Sequence, residues 1–395
     1  SVRQYSTRRT AVGVRLMTMF GSQWLANAGA DAYEIDQSIR FNDDDSAHLS
    51  RTPGSAGNRK TWTFSAWVKR ANLGTRQMIF AATGQAYLQL GPDAASTESI
   101  TLNNEGSGTD LNWYTDPVYR DPGAWFHIVW QFDSTQAVAD NRTKLFINGS
   151  QVTAFTKAAT PDQEFEGAIN NAVEHKIGEG HIANFYLDAY LAEMHFIDGT
   201  AKVASDFGEY NTAGVWIPKE YSGAYGTNGF FIDGRDSSDL GDDESGNGND
   251  FASSGLAAAD QVTDSPTNNF WTLNPIDPKG SNVTVSDGNL RAVCGSDAEG
   301  SVFAPMLPET GKWAWKITAT LNMGSGAEYP VLGIVPANNS DVASPMRSGG
   351  TGEGYGADGR FFSASAGSNS SYGATWSDGD VIEVGWDADN GALSF

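Results

Sequence analysis

From residue 35 onward, short runs of alternating apolar and polar residues are separated by Gly, Asn, Asp and Pro, a period-two pattern that predicts β-strands. Segment 61–68, TWTFSAWV, alternates Trp62, Phe64 and Ala66 with Thr61, Thr63 and Ser65, then brings Trp67 and Val68 together, so at least one face enters a core. Segments 77–81, 86–90, 98–102, 125–132 and 143–148 add further strands, and the succession predicts packed antiparallel sheets. In FINGSQV, 146–152, Asn148-Gly149 stands between apolar strand residues; this pair tolerates the positive backbone angles of a tight hairpin. Residues 185–197, FYLDAYLAEMHFI, have a helix-compatible composition, yet Phe185, Leu187, Ala189, Leu191 and Phe196 favour one strand, or two across a bend.

The flanking regions read differently. Residues 1–34 form an irregular arm, basic at Arg3, Arg8, Arg9 and Arg15 and then Gly/Ala/Asn-rich around Trp24; it is either an attachment arm, with Phe20 and Trp24 as assembly residues, or a floppy start. After the first β region, aromatic residues in 221–232 can dock against it, whereas 233–250 is polar loop; Pro266, Pro275 and Pro278 oppose a long regular element. A second β pattern begins with NVTVSDGNLRAV near 281 and resumes in GKWAWKITAT, 311–320, where Trp313, Trp315 and Ile317 share a face. Segments 329–335, 360–364, 372–376 and 380–386 continue it, and GALSF at 391–395 reads as a hairpin strand just begun, the expectation for a fragment of a longer protein. The expected fold is all-β: an arm at 1–34, an antiparallel jelly-roll sandwich at 35–205, a loop-rich connector at 206–280, and a second, truncated β-sandwich at 281–395.

Composition narrows the partners. Across 395 residues, 48 Asp and Glu against 25 Lys and Arg give a net charge of -23, which repels phosphate backbones and argues against nonspecific nucleic-acid binding. No run approaches the roughly 20 apolar residues of a membrane-spanning helix, so no membrane insertion is expected. The single cysteine, Cys294, excludes an internal disulfide framework and a thiolate metal cluster, leaving stability to packing of 20 Phe, 12 Trp and 13 Tyr among the apolar residues.

Candidate chemistry is sparse. Asp233, Asp236, Asp239, Asp242, Asp243, Glu244 and Asp250, with Asn247 and Asn249, offer oxygen donors that suit calcium, with Asp239, Asp242 and Asp243 as the candidate ligands; the spacing is not that of an EF-hand, and the same residues favour solvated Asx turns. Asp43, Asp44 and Asp45, followed by His48, form a second oxygen cluster, with Asp43 and Asp45 as candidate calcium ligands against the plainer reading of a solvated edge. No cofactor is required. His127, His175, His181 and His195 are dispersed without an HExxH motif, no GxSxG elbow occurs, and no acidic pair stands out as a glycosidase couple, so the reading is non-enzymatic. Trp62, Trp67, Trp125 and Trp130 lie in strand patterns and are expected in the core; Trp113 and Tyr114, read as loop residues, are the candidates for stacking on sugar faces.

The segments SIRFNDDDSAHLSRTPGSAGNRKTWTFSAWVKR at 38–70, GAWFHIVW at 123–130 and TKLFINGSQV at 143–152 resemble the concanavalin-A-like, laminin-G-like jelly-roll family over residues 35–205. FGSQWLANAG at 20–29, YLAEMHFIDG at 190–199, YGTNGFFI at 225–232, DESGNGNDF at 243–251 and VTDSPTNNFWTLNP at 262–275 resemble virion structural proteins of marine tailed bacteriophages. GKWAWKITAT, VLGIV, a YG-rich stretch and GDVIEVGWDADNGALSF resemble a SPRY-type sandwich that ends early. The resemblance implies a virion-surface protein, a tail-fibre or appendage subunit for host attachment that contacts other virion proteins and a host-surface glycan as a homo-oligomer, for example a trimer. Its alternatives are a head-fibre or capsid-decoration subunit, and an extracellular carbohydrate-binding protein or glycanase.

Overall fold

Strand Thr61–Arg70 is buried on both faces, and its alternation sorts the molecule into layers. Trp62, Phe64, Ala66 and Val68 enter the main core with Phe126, Ile128, Trp130 and Phe132 of the neighbouring strand. Trp67 instead joins a second cluster with Val129 and Tyr190. The computed structural model describes residues 33–92, 98–106, 108–181, 185–278, 283–294, 300–304, 310–319, 330–336, 352–363 and 368–395; the assembly candidates Phe20 and Trp24 lie outside the described residues.

Two antiparallel sheets enclose the main core. The first runs in the order Ser150–Val152, Thr143–Ile147, Phe126–Asp133, Thr61–Arg70, Ala189–Asp198, Ser38–Phe41, Gln261–Val262, with Phe230–Ile232 also paired to Ala189–Asp198. The second runs Phe155–Ala159, Leu111–Thr115, Ser99–Asn104, Ala86–Gly91, Gln77–Ala82, His175–Ile177, His48–Arg51, Ala252–Ser254. Phe64 of the first sheet stacks on Phe80 of the second at 4.7 Å, while Trp62 meets Trp130 edge-on at 4.7 Å. Each such ring removed from water contributes roughly 1.5–3 kcal/mol, and the cluster as a whole holds the sheets face to face. The four core tryptophans expected from the sequence are all buried, and Asn148-Gly149 makes the hairpin, with φ of 46° and 79°.

Strand Ala189–Asp198 is a single bent strand. Odd residues Ala189 and Leu191 face the main core before the bend, and even residues Met194 and Phe196 face it afterwards. The parity changes at a bulge between Ala192 and His195, where Glu193 has φ of 50°. One extra residue in a strand reverses which side chains point inward. Here it sends Ile197 into the outer cluster that Ala192 joins before the bend, and turns His195 toward Phe207 and Tyr225.

Segment 206–280, expected to be a connector, supplies Phe230–Ile232 and Gln261–Val262 to the first sheet and Ala252–Ser254 to the second. Its DSPTNNF stretch is a clamp. The carboxylate of Asp264 accepts from Lys69 Nζ at 2.7 Å and from Trp125 Nε1 at 2.9 Å, and Asn269 Oδ1 accepts from the same lysine at 2.8 Å. Thr267 Oγ1 accepts from the Ile35 amide at 2.8 Å and donates to the Ile35 carbonyl at 2.7 Å, fixing the entry of the chain into the sandwich. Pairing every buried donor and acceptor is what lets so polar a loop lie inside.

Hairpin Val283–Ser286/Arg291–Cys294 is tied to the first sandwich by Tyr190, whose hydroxyl donates to the Gly288 carbonyl at 2.6 Å. Beyond it, Lys312–Thr318, Val381–Asp387 and Ala392–Ser394 make a three-stranded sheet, and Val331–Ile334, Glu353–Gly356, Arg360–Ser363 and Ser368–Ser371 a four-stranded one. Trp315 and Ile317 pack on a small cluster that includes Tyr355, Trp376, Ile382 and Val384. The strand expected at 372–376 lies instead at Ser368–Ser371; Trp376 leaves the sheet to fill the core, and its amide donates to the Ala357 carbonyl at 3.0 Å. Among the described residues no helix is long and apolar enough to cross a membrane.

Candidate functional site

The residues singled out from sequence do not form a site together. Trp113 and Tyr114, expected in a loop, sit in strand Leu111–Thr115; Trp113 is only 2% exposed, packs on Phe155 at 5.1 Å and donates its indole N–H to Thr160 at 3.1 Å. Its ring is spent on the core and cannot open to a ligand. Asp43 to Asp45 form a short 3-10 turn, in which Asp45 accepts from Asn42 Nδ2 at 2.7 Å. Among the described residues no three acidic, histidine or cysteine side chains converge on a metal position, so Asp43, Asp45, Asp239, Asp242 and Asp243 do not assemble the calcium set expected of them.

Asp243 shows the physical reason. One oxygen accepts from the amides of Phe231 at 2.8 Å and Ser245 at 2.9 Å; the other accepts from Ser245 Oγ and the Asn249 amide, both at 2.8 Å. The carboxylate is saturated by its own loop and the strand residue Phe231. Asn249 Nδ2 then reaches the carbonyls of Thr227 at 3.0 Å and Gly229 at 2.7 Å, and Asn247 Nδ2 those of Gly226 at 2.8 Å and Gly229 at 2.9 Å. The acidic loop is thus bonded onto the YGTNG loop.

Asp198 anchors that second loop from the other side. Its carboxylate accepts from the amides of Asn58 at 2.8 Å and Asn228 at 3.1 Å and from Asn170 Nδ2 at 2.6 Å. Gly226, with φ of 79°, passes so near that a Cβ would lie 2.3 Å from the Asp198 carbonyl oxygen; only glycine fits. Between these two anchored loops opens a groove of about 620 Å³, lined by residues 221–227 with Ser245 and Asn247.

The groove has an aromatic base. Tyr225 stacks on His195 at 5.9 Å and meets Tyr221 edge-on at 5.1 Å; His195 in turn stacks on Phe231 at 4.4 Å. The Tyr225 hydroxyl is 2.9 Å from His195 Nδ1, and Glu193, in the bulge, accepts the Tyr33 hydroxyl at 3.0 Å. Burial, reinforced by the charge of Glu193, pushes the Tyr225 phenol well above its ordinary pKa, so it remains a neutral hydroxyl. Tyrosine faces beside serine, threonine and asparagine groups can stack on an apolar ring face and orient hydroxyls. Sequence reasoning missed the groove, although its loops lie in YGTNGFFI and DESGNGNDF, two of the motifs that carried the phage resemblance.

Residues 41–204 match the family model described as the concanavalin A-like lectin/glucanases superfamily, of laminin G type. The match is in keeping with the two antiparallel sheets, an all-β architecture of the concanavalin-A-like, laminin-G-like sandwich kind. Among solved structures, a Bacteroides ovatus protein described as carbohydrate binding is 13% identical, with a TM-score of 0.41, covering 56% of this chain and 58% of its own length. The mouse laminin α1 domain pair is 12% identical, covering 95% of this chain and 77% of that one at a TM-score of 0.34. The enzymatically active domain of bacteriophage CBA120 tailspike protein 2 is 13% identical, covering 46% and 31% at a TM-score of 0.31. No curated protein matches the sequence.

Proposed function

We propose that the chain is a non-enzymatic recognition subunit on the surface of a tailed-phage virion, a tail-fibre or appendage protein that holds host-surface carbohydrate in the groove of residues 221–227, Ser245 and Asn247. The observation carrying this reading is the groove itself: two loops immobilised by Asp198 and Asp243 bring Ser222, Thr227, Ser245 and Asn247, beside the packed rings of Tyr221 and Tyr225, around a space of about 620 Å³. That volume is within the roughly 300–1,000 Å³ of small-ligand sites. Loops fixed before binding lose little entropy on binding, and a shallow, weak site gains avidity when copies are arrayed on one particle. The virion setting rests on the sequence resemblance of YLAEMHFIDG, YGTNGFFI and VTDSPTNNFWTLNP, and the SPRY-type assignment of the C-terminal sheets belongs to the same reading.

The test has two parts. Labelled protein should adsorb to host cells and be displaced by their extracted surface polysaccharide, and Ala224→Trp, at an exposed lining position, should abolish adsorption without altering the far-UV spectrum. Cryo-electron microscopy of the intact particle should place the chain on a tail appendage; density on the head would replace this reading with capsid decoration.

A further inference from the structure

We infer that the groove is selective for uncharged glycans and rejects acidic ones; the inference rests on the carbohydrate reading above. No residue lining the groove carries a charge. The charges around it are predominantly negative: Asp243 lies directly behind Ser245, at 2.8 Å from its hydroxyl, while Glu220 and Glu244 are exposed immediately before Tyr221 and Ser245. Four nearby cations are engaged: Lys219 Nζ donates to the Ser205 carbonyl at 3.2 Å, Arg51 donates to Asn249 Oδ1 beside Asp243, and the other two pair with carboxylates. Lys202 Nζ, 5.6 Å from the centre of the Tyr221 ring, is 3.9 Å from Asp206, and Arg235 is 2.8 Å from Asp233 and 4.0 Å from Glu244.

Burial first, and then Asp206, pushes the Tyr221 phenol upward; burial first, and then Glu193, does so for Tyr225. A uronate, sialate or phosphate entering the groove would lose hydration and face predominantly like charge, within a chain whose net charge is -23. A neutral sugar needs hydroxyl partners and no counter-charge, and Ser222, Thr227, Ser245 and Asn247 supply such partners.

The experiment presents the full chain, fluorescently labelled, to immobilised neutral oligosaccharides (N-acetylglucosamine oligomers, galactans, dextrans) and acidic ones (hyaluronan, alginate and polysialate oligomers) at low salt. Binding to neutral glycans at least roughly tenfold above acidic ones, lost in Ala224→Trp, is the expected result. Glu220→Lys with Glu244→Lys should retain neutral binding and raise acidic binding, a gain that added salt then erodes. Acidic glycans bound by the wild type and released by Ala224→Trp would overturn the selectivity while leaving the groove as the site. Glycan signal unchanged by Ala224→Trp and by Ser222→Trp, or no glycan signal at all, would overturn the groove reading and the selectivity with it.

Discussion

Lys69 Nζ lies 2.7 Å from the carboxylate of Asp264, with the lysine side chain fully buried and the aspartate 7% exposed, so an ion pair is buried on the outer face of the first sheet. The geometry offsets the desolvation: Lys69 also donates to Asn269 Oδ1 at 2.8 Å and the Phe270 carbonyl at 2.6 Å, and Asp264 accepts from Trp125. Removing one partner strands the other. Asp264→Ala is therefore expected to cost about 3–5 kcal/mol in guanidinium unfolding, whereas Lys69→Met combined with Asp264→Asn should cost clearly less than the sum of the single changes.

Trp216 donates to His127 Nδ1 at 3.2 Å, which leaves Nε2 as the protonated nitrogen, 2.8 Å from Ser65 Oγ. Burial first, and the neighbouring His195 second, pushes the His127 pKa down to about 3; burial brings His175 to about 4. In the unfolded chain both titrate near about 6.5. Their neutral forms thus favour folding fully above that value, and this contribution is lost as pH falls toward 4, at up to about 1.4 kcal/mol per unit for each ring. Nitrogen-15 spectra should show His127 as the Nε2–H tautomer without titration between about pH 7.5 and about pH 5; protonation at about pH 6 would exclude this arrangement.

Asp188 works in the opposite direction. It is 5% exposed, its Oδ1 has no hydrogen-bond partner, and burial, then Asp43 and Asp44, raises its pKa to about 7. The folded state therefore binds a proton that the unfolded state releases, so its penalty is absent below about 4 and complete above about 7. Asp188→Asn should be more stable than the wild type by on the order of a few kcal/mol at pH 8, with the advantage vanishing near pH 4. Equal stability of the two proteins at every pH would remove Asp188 from the account.

The burial of Trp113 makes a prediction that separates packing from recognition. Trp113→Ala should lower stability by about 3–5 kcal/mol, as large-to-small core changes do, while the fraction that remains folded retains its glycan binding. Tyr114→Ala, on the half-buried side of the same strand, should cost far less.

What the sequence disclosed, and what it withheld, follows from the range of the forces involved. The period-two pattern of Trp62, Phe64 and Ala66 is local, so strand and core face were both legible, as was the turn at Asn148-Gly149. The burial of Thr63, Ser65 and Lys69 was not, because it depends on partners at Thr200, His127 and Asp264, far along the chain. Strands as short as His175–Ile177 hold too few residues to display a period. Acidic runs misled for a related reason: composition shows that Asp243 has lone pairs but not that three donors of its own loop and the Phe231 amide already use them. The groove emerged only when residues 221–227 and 243–249 were brought together by such bonds.

Trp216 is held between two glycines. A Cβ on Gly149 would lie 2.4 Å from its indole ring, and one on Gly208 would lie 2.5 Å from it, so both backbones approach the ring faces to distances that no side chain allows. Gly149 also has φ of 79°, which penalises any other residue in the hairpin turn. Gly149→Ala should therefore displace the indole, lengthen its bond to His127 and destabilise the fold by about 1–3 kcal/mol through combined overpacking and backbone strain. The displaced ring should shift tryptophan emission and bring His127 into titration at a higher pH, since loss of the N–H donor frees Nδ1 to take a proton. An alanine variant with unchanged emission and melting temperature would mean that the hairpin moves freely against Trp216 and that the indole does not lock this edge of the sheet.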